Sequence, residues 1–195
     1  MVQGKKPELP IIPFCSQKDW EKWLEINHSI SDGIWLQIYK KGSGTPSVVY
    51  AEALDEALCY GWIDGQLKPG DKNFYLQRFT PRRARSTWSK RNIQHVERLE
   101  KAGKMKPSGW KVIEDAKGDG RWDNAYDAPG SMTIPQELID ELSKVPQSLT
   151  FFETLNKVNK YAIVWRYQSA KTPELRSKRL KAILEKLAKG ETYHP

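Results

Sequence analysis

Residues 59–92 hold most of the side chains in this chain that could do chemistry. Arginine dominates, with five arginines between positions 78 and 91. The arginine head group is a planar fork of N–H donors that matches phosphate or carboxylate oxygens two at a time, as lysine cannot. Serine and asparagine side chains surround a predicted helix start, where unpaired backbone N–H groups also attract anions. The pattern predicts an anion-binding corner with the ligand-binding residues Trp62, Asp64, Arg78, Arg82, Arg83, Ser86, Trp88, Ser89 and Asn92.

Asp64, in the segment GWIDG, is the candidate for acid–base chemistry. A lone carboxylate acts either as a general base or as the partner of an arginine. No second carboxylate and no nucleophile nearby in sequence completes a named reaction, so we predict no catalytic residue. Two alternatives stay open: an enzyme that uses Asp64 with Tyr60 or His95, and an arginine network that forms salt bridges to Asp64 or Asp71.

Composition excludes several classes of protein. The chain has 195 residues, of which 38% are apolar and 29% charged, which is typical of one globular core. No apolar run reaches the roughly 18 residues that a membrane span needs. Cys15 and Cys59 form no CxxC pair and the three histidines have no metal-ligand spacing, so we expect reduced thiols, no metal and no cofactor. The N-terminus has no apolar export segment, which favours a cytoplasmic protein.

The net charge of +8 is unevenly distributed along the chain. Residues 78–106 and residues 157–190 each hold ten Lys or Arg against two Glu, so the remainder is acidic. Two basic blocks predict a positive field that favours an anionic small molecule, a protein partner or nucleic acid, although solvated helix faces explain them equally well. Binding to nucleic acid would use salt-sensitive phosphate contacts from Arg91, Arg98, Lys171, Arg176 and Arg179.

A small sheet and several helices must position these residues. Short β-branched and aromatic runs predict strands over residues 34–39, from Trp62 onward, and over 72–79 after a Pro-Gly-Asp turn. Apolar spacing and capping residues predict helices over residues 16–27, 49–60, 89–102 and 107–117. In the third of these helices Ile93, Val96 and Leu99 form the apolar stripe, and His95 is expected to be exposed on a basic stripe with Arg91 and Arg98.

The region after about residue 134 is predicted to be helical. Its last helix has Thr172 as N-cap and Pro173 in the first turn, with an apolar stripe of Leu180, Ile183, Leu184, Leu187 and Ala188. Residues 1–13 contain three prolines and are predicted to be an extended lead-in. The predicted fold class is α+β, with a small antiparallel sheet from about residues 30–80 flanked by helices and a helical C-terminal region. We expect the regions 14–126 and 134–190 to pack together as one compact unit.

Several separated segments resemble the YdeI/OmpD-associated, or bacteriocin-protection, family. They are GWIDG (61–65), RFTPRR (78–83), STWSKRN (86–92) and the segments 103–126 and 170–190. The resemblance runs from about Phe14 to Gly190. It implies a link to envelope stress and to resistance against antimicrobial peptides, and it implies no defined catalytic reaction and no cofactor. We keep the cytoplasmic expectation, because the sequence shows no export signal for the envelope location that part of the family name suggests.

Together these observations predict a cytoplasmic binding protein, more in keeping with a non-enzyme than with an enzyme. Its anionic ligand or partner would bind at the arginine and tryptophan corner. The alternatives are a sequence-nonspecific nucleic-acid-binding protein and an enzyme that uses Asp64. The patterns do not specify the ligand, the partner or the oligomeric state.

Overall fold

The structure is a computed structural model that describes residues 8–127, 132–170 and 172–195. In these described residues four strands and four helices come first, and four further helices follow. The α+β class with a helical C-terminal region is therefore confirmed. In chain order the elements are β1 (Ile11–Pro13), α1 (Gln17–Asn27), β2 (Ile34–Tyr39), α2 (Tyr50–Cys59), β3 (Trp62–Pro69), β4 (Phe74–Pro81), α3 (Lys90–Lys101), α4 (Pro107–Gly118), α5 (Gln136–Ser143), α6 (Pro146–Thr154), α7 (Lys157–Gln168) and α8 (Pro173–Ala188).

The chain divides into two compact units. The sheet unit comprises Met1–Trp88 with Asn92–Asn124, and the helical unit comprises Ser89–Arg91 with Ala125–Pro195. The boundaries 14–126 and 134–190, and the packing of these regions into one body, stay predictions.

The sheet has the strand order β1-β2-β4-β3. Strand β4 pairs antiparallel with both β2 and β3, as the sequence predicts. The prediction of a purely antiparallel sheet is wrong at one edge, because β1 pairs parallel with β2 and makes the sheet mixed. The predicted lead-in thus includes a strand of three residues, which is too short for a pattern with a period of two to show.

A β-bulge interrupts the pairing of β3 with β4 between Asp64 and Leu67. The side chain of Gln77 on β4 is only 4% exposed, and its Nε2 donates to the carbonyl oxygens of Gly65 at 2.9 Å and Gln66 at 3.4 Å. A side-chain amide therefore satisfies backbone groups that the bulge removes from the ladder.

Aromatic rings form the core of the sheet unit. Trp20 is fully buried, and its Nε1 donates to the carbonyl oxygen of Ala53 at 3.0 Å. Its ring lies 5.3 Å from that of Trp23, 5.7 Å from that of Phe79 and 6.2 Å from that of Trp62. Each buried ring removes a large apolar surface from water, so this cluster supplies much of the stabilisation of the sheet unit.

Two glycines allow α4 to pack closely against the end of α2. Gly61 has φ +76°, the left-handed conformation that glycine favours directly after a helix. A Cβ atom at Gly61 would lie 2.9 Å from the carbonyl oxygen of Ser108, and a Cβ atom at Gly109 would collide with the carbonyl oxygen of Cys59. The end of α2 and the start of α4 therefore approach so closely that a side chain would fit neither at Gly61 nor at Gly109.

The helical unit has its own apolar core, which α5, α6, α7 and α8 contribute. Thr172 caps α8, since its side-chain oxygen accepts from the N–H of Leu175 at 3.2 Å. The predicted stripe of α8 is largely confirmed: Ile183 and Leu187 are buried, and Leu180 and Leu184 pack against the core. Ala188, at its end, is exposed instead. The core residues are Leu138, Leu142, Phe152, Leu155, Ile163, Val164, Tyr167, Ile183 and Leu187.

None of the helices formed by the described residues is long and apolar enough to cross a membrane.

Candidate functional site

Residues 82–88, here called the Arg82–Trp88 loop, follow directly after β4. The backbone N–H of Arg82 donates to the carbonyl oxygen of Gly61 at 3.0 Å, and its Nη1 donates to that of Thr87 at 3.0 Å. The guanidinium carbon of Arg82 lies 3.7 Å from the centre of the Trp88 ring. Arg82 is 8% exposed, so its head group connects the two ends of the loop inside the protein.

Arg121 supports the same loop from the segment after α4. Its Nη1 donates to the carbonyl oxygen of Ser86 at 3.1 Å, and its Nε donates to the carboxylate of Asp119 at 2.7 and 2.8 Å. The Trp122 ring lies 4.9 Å from that of Trp88. Arg121 is not among the predicted site residues, and the signal for its orientation is the nearby Asp119, two positions earlier in the sequence.

Trp88 is a core residue of the loop. Its side chain is 2% exposed, and the guanidinium of Arg82 and the ring of Trp122 lie against it. The buried Nε1 of Trp88 has no acceptor among residues 8–127, 132–170 and 172–195. A buried donor without an acceptor costs free energy, so Trp88 is held in this position by the packing of its ring and not by a hydrogen bond.

Arg83 and Arg85 are the exposed arginines of the Arg82–Trp88 loop. Within the described part of the chain, neither guanidinium has a hydrogen bond or an ion pair. The N–H of Ser86 donates to the carbonyl oxygen of Arg83 at 2.9 Å, so the two arginines lie on one turn. The structure thus separates Arg82, which is buried and holds the loop, from Arg83 and Arg85, which are exposed and keep their donors available.

Trp62 and Asp64, on β3, are committed to internal contacts. Trp62 pairs with Pro81, one residue before the loop, but its ring is 1% exposed and its Nε1 donates to the carbonyl oxygen of His28 at 3.0 Å. The hydroxyl of Tyr50 donates to Oδ2 of Asp64 at 2.8 Å. Trp62 therefore offers no free ring face, and Asp64 has a neutral partner.

Arg78, Ser89 and Asn92 complete the predicted set. The side chain of Arg78 lies across Gly65, and its Nε is buried without a hydrogen-bond partner in the described residues. Ser89 is 8% exposed and forms a β-bridge with Tyr126. The side chains of Ser89 and Asn92 each have interactions of their own. A ligand-binding role for these three residues stays a prediction.

Asp55, His95 and Arg98 form a charged cluster in the sheet unit. Nδ1 of His95 lies 2.8 Å from Oδ1 of Asp55, and Nη2 of Arg98 donates to the same carboxylate at 2.6 and 2.7 Å. The hydrogen bond to Asp55 raises the pKa of Arg98. The expectation of an exposed His95 is wrong, since Asp55, forty positions away, partly covers it. His95 is paired with Asp55, which gives no support to the Asp64 and His95 combination.

Cys59 lies one helical turn after Asp55 on α2. Burial of its side chain, with smaller contributions from Glu56 and Asp55, raises the pKa of the Cys59 thiol to about 12. Only the thiolate is a strong nucleophile, so Cys59 stays an unreactive thiol near neutral pH. The combination of thiol, imidazole and carboxylate side chains in this region therefore has no activated nucleophile.

The residues predicted to bind nucleic acid differ in how available their charged groups are. Arg98 is held by Asp55, and Nη1 of Arg179 donates to the carbonyl oxygen of Arg166 at 2.7 Å. Arg91 and Arg176 are exposed. Lys171 lies outside the described residues.

Glu56 lies in a separate open cleft of the sheet unit. The side chain of Glu56 is 5% exposed, and Nε2 of Gln17 donates to its Oε1 at 2.6 Å. Burial raises the pKa of Glu56, against the lowering effect of the bond from Gln17. Sequence patterns did not indicate this site. The cleft measures about 620 Å³ and is lined by Cys15, Ser16, Gln17, Lys18, Glu21, Ser47, Glu52, Glu56 and Lys104.

Among the residues that the structure describes, no group of three or more His, Cys, Asp or Glu side chains could hold a metal ion.

Two family models match the chain. Residues 12–112 match the family described as "Domain of unknown function (DUF8412)". Residues 131–190 match the family described as "Bacteriocin-protection, YdeI or OmpD-Associated". The predicted resemblance to the second family is therefore shown for the C-terminal helices, whereas the Arg82–Trp88 loop lies in the first match. No curated protein and no solved structure matches the chain.

Proposed function

The chain belongs to the family described as "Domain of unknown function (DUF8412)", whose model covers more than half of it, and we propose that it is a binding protein for a multiply charged anion. The ligand binds to Arg83 and Arg85 on the Arg82–Trp88 loop. Residues 131–190 match the bacteriocin-protection type, whose description names protection and no reaction, and this supports binding in preference to catalysis.

The observation that carries the proposal is that two arginines fix the loop from inside while two others on the same loop are exposed. Arg82 and Arg121 donate to carbonyl oxygens of Thr87 and Ser86 and so fix the backbone of the loop. Arg83 and Arg85 are exposed on that fixed turn and have no carboxylate partner in the described residues. A preorganised site binds more tightly, because less ordering entropy is lost when the ligand arrives.

The charges around the loop suit a ligand with several negative charges. Two guanidinium groups two residues apart can bind two anionic oxygens of one ligand in charge-assisted hydrogen bonds. The net charge of +8 also raises the rate at which anions approach. We therefore propose a phosphorylated or polycarboxylated ligand.

The proposal is tested by calorimetric titration of the full chain with tripolyphosphate and, separately, with tricarballylate. Replacing Arg83 and Arg85 together by alanine should weaken binding by about tenfold or more, since each charge-assisted hydrogen bond contributes roughly 1.5–3 kcal/mol. Both side chains are exposed, so the double variant should fold with an unchanged thermal transition.

The matched control replaces Lys41 and Lys72, which are exposed cations in the turns at the opposite end of β2 and β4. It removes the same charge and should lower affinity by no more than about threefold through the weakened long-range field. Equal losses in the two double variants would show diffuse attraction by net charge and would overturn the loop as the site. Absence of binding by the unmodified chain would overturn the proposal itself.

A further inference from the structure

The helical unit contains a second cavity with an unusual lining. It measures about 340 Å³ and lies between α7, α8 and the segment that follows α8. This volume is at the lower end of the range for small-molecule sites. The lining residues are Trp165, Arg166, Arg179, Ala182, Ile183 and Tyr193.

Two arginines line this cavity, and their hydrogen bonds to other described residues go to neutral groups. Nη1 of Arg166 donates to the carbonyl oxygen of Ala162 at 2.9 Å, and its guanidinium carbon lies 4.0 Å from the centre of the Tyr193 ring. Nη1 of Arg179 donates to the carbonyl oxygen of Arg166 at 2.7 Å and to Oγ of Ser169 at 2.8 Å. These contacts fix both head groups in position.

The charges of Arg166 and Arg179 are not compensated within the described residues. No carboxylate of residues 8–127, 132–170 or 172–195 forms an ion pair with either guanidinium, although both side chains are half-buried. Partial burial of a charge without an opposite charge nearby is unfavourable. An anion in the cavity would supply that missing charge, so the lining selects a negatively charged ligand.

The rest of the lining is apolar and aromatic. Trp165 is 38% exposed, which leaves part of a large flat ring in solvent, whereas Ile183 is 1% exposed. Exposed tryptophan rings bind flat ligands by stacking, a contact that every planar ring can make. The cavity thus combines a platform for a ring with two fixed donors for an anion.

We propose that this cavity binds a small organic anion that consists of one or two fused aromatic rings and a carboxylate or phosphate group. The ring packs against Trp165 and the anionic group accepts from Arg166 and Arg179. This site is separate from the Arg82–Trp88 loop, and its ligand needs a ring, which the ligand of the loop does not.

The test is calorimetric titration of the full chain with indole-3-acetate and with phenyl phosphate, compared with indole, acetate and inorganic phosphate. At least one of the two ring-containing anions should bind about tenfold or more tightly than its separate ring and separate anion. Binding of only one of the two assigns the anionic group as carboxylate or phosphate. Binding of neither at millimolar concentration overturns the proposal, as does equal binding of inorganic phosphate and phenyl phosphate.

Two variants examine the ring and the anion separately. Trp165→Ala should weaken binding of the ring-containing anion by about fivefold or more and leave the weak binding of inorganic phosphate unchanged. Arg166→Gln should weaken binding of both. Arg176→Gln, at an exposed cation of α8 outside the lining, should not change the affinity. Unchanged binding in both Trp165→Ala and Arg166→Gln, with intact thermal transitions, would overturn the proposal.

Discussion

Glu56 is a buried carboxyl group, and its ionisation opposes folding. Burial is the largest influence on the pKa of Glu56 and raises it, and the charge of Glu21 raises it further, whereas the bond from Gln17 lowers it. A carboxyl group with a raised folded-state pKa stabilises the fold below the pKa of the unfolded chain. That stability is lost as the pH rises through the folded-state pKa, because the group must then ionise in a site that disfavours charge.

Glu56→Gln should therefore raise the melting temperature at pH 7. The uncharged amide keeps an oxygen that accepts from Gln17 and avoids the burial of a charge. The gain over the unmodified protein should be smallest near pH 4, below the ordinary value of 4.5 for Glu, and should grow toward pH 7. Thermal unfolding between pH 4 and pH 7 measures the difference.

The exposed Glu25, on the outer face of α1, is the matched control. Glu25→Gln also removes one negative charge, and its curve of melting temperature against pH should run parallel to that of the unmodified protein. A gain for Glu56→Gln that stays constant from pH 4 to pH 7 would contradict the assignment, since it would not depend on ionisation.

The arginine cluster shows what residue patterns can and cannot predict. The density of arginine between positions 78 and 91 directs the site prediction to the loop. The pattern cannot separate Arg82, which donates to Thr87, from Arg83, which is exposed, because the two are adjacent in sequence. That difference depends on Gly61, Trp88 and Trp122, which only the folded chain brings together around the loop.

At the scale of elements, the contact between α2 and α4 depends on the absence of a side chain at Gly109. Gly109→Ala should destabilise the protein by about 1–3 kcal/mol, because the added methyl group meets the carbonyl oxygen of Cys59 and forces the two helices apart. Chemical denaturation followed by far-UV circular dichroism measures the loss.

Gly118, at the end of the same helix, is the control, because a Cβ atom added there would have no other atom within 4 Å. Gly118→Ala should change stability by less than about 1 kcal/mol, and the expected sign is stabilising, since alanine favours the helical conformation. If the two substitutions have equal effects, helix propensity and not the close approach of the backbones explains the result at Gly109.

Elements with a strong local pattern were predicted well. The strand Ile34–Tyr39 agrees at both ends with its prediction, because a short run rich in β-branched and aromatic residues favours the extended conformation. The caps Ser16 and Thr172 also mark the true helix starts. Strand β1 and the partner of His95 could not be predicted, because each depends on a distant segment: β2 for the strand and Asp55 on α2 for the histidine.

For the whole molecule, the basic charge predicts how it responds to salt. Arg176, Lys178 and Lys181 are exposed on α8, and none forms an ion pair with another described residue. If these residues contact nucleic-acid phosphates, the affinity for a single-stranded oligothymidylate should fall roughly tenfold or more between about 50 and 200 mM salt, because bound counterions are released from the strand.

Fluorescence anisotropy at a series of salt concentrations measures this slope. Replacing the three residues by alanine should reduce the slope of log affinity against log salt by about 2, or about 0.7 for each phosphate contact. The double replacement of Lys41 and Lys72 is again the comparison. An affinity that hardly changes with salt would remove the nucleic-acid alternative and leave the two proposed anion sites.

Strand β1 has a consequence for self-association. Strand β2 is uncharged, apolar and rich in β-branched and aromatic residues, and β1 covers its outer edge by pairing with Trp35, Leu36 and Gln37. The opposite edge, β3, has its own protection in a bulge, Lys68 and Pro69. Without Ile11–Pro13, β2 would become an open edge of the kind that pairs with other copies and aggregates. The three-residue strand therefore protects the protein from aggregation in addition to completing the sheet.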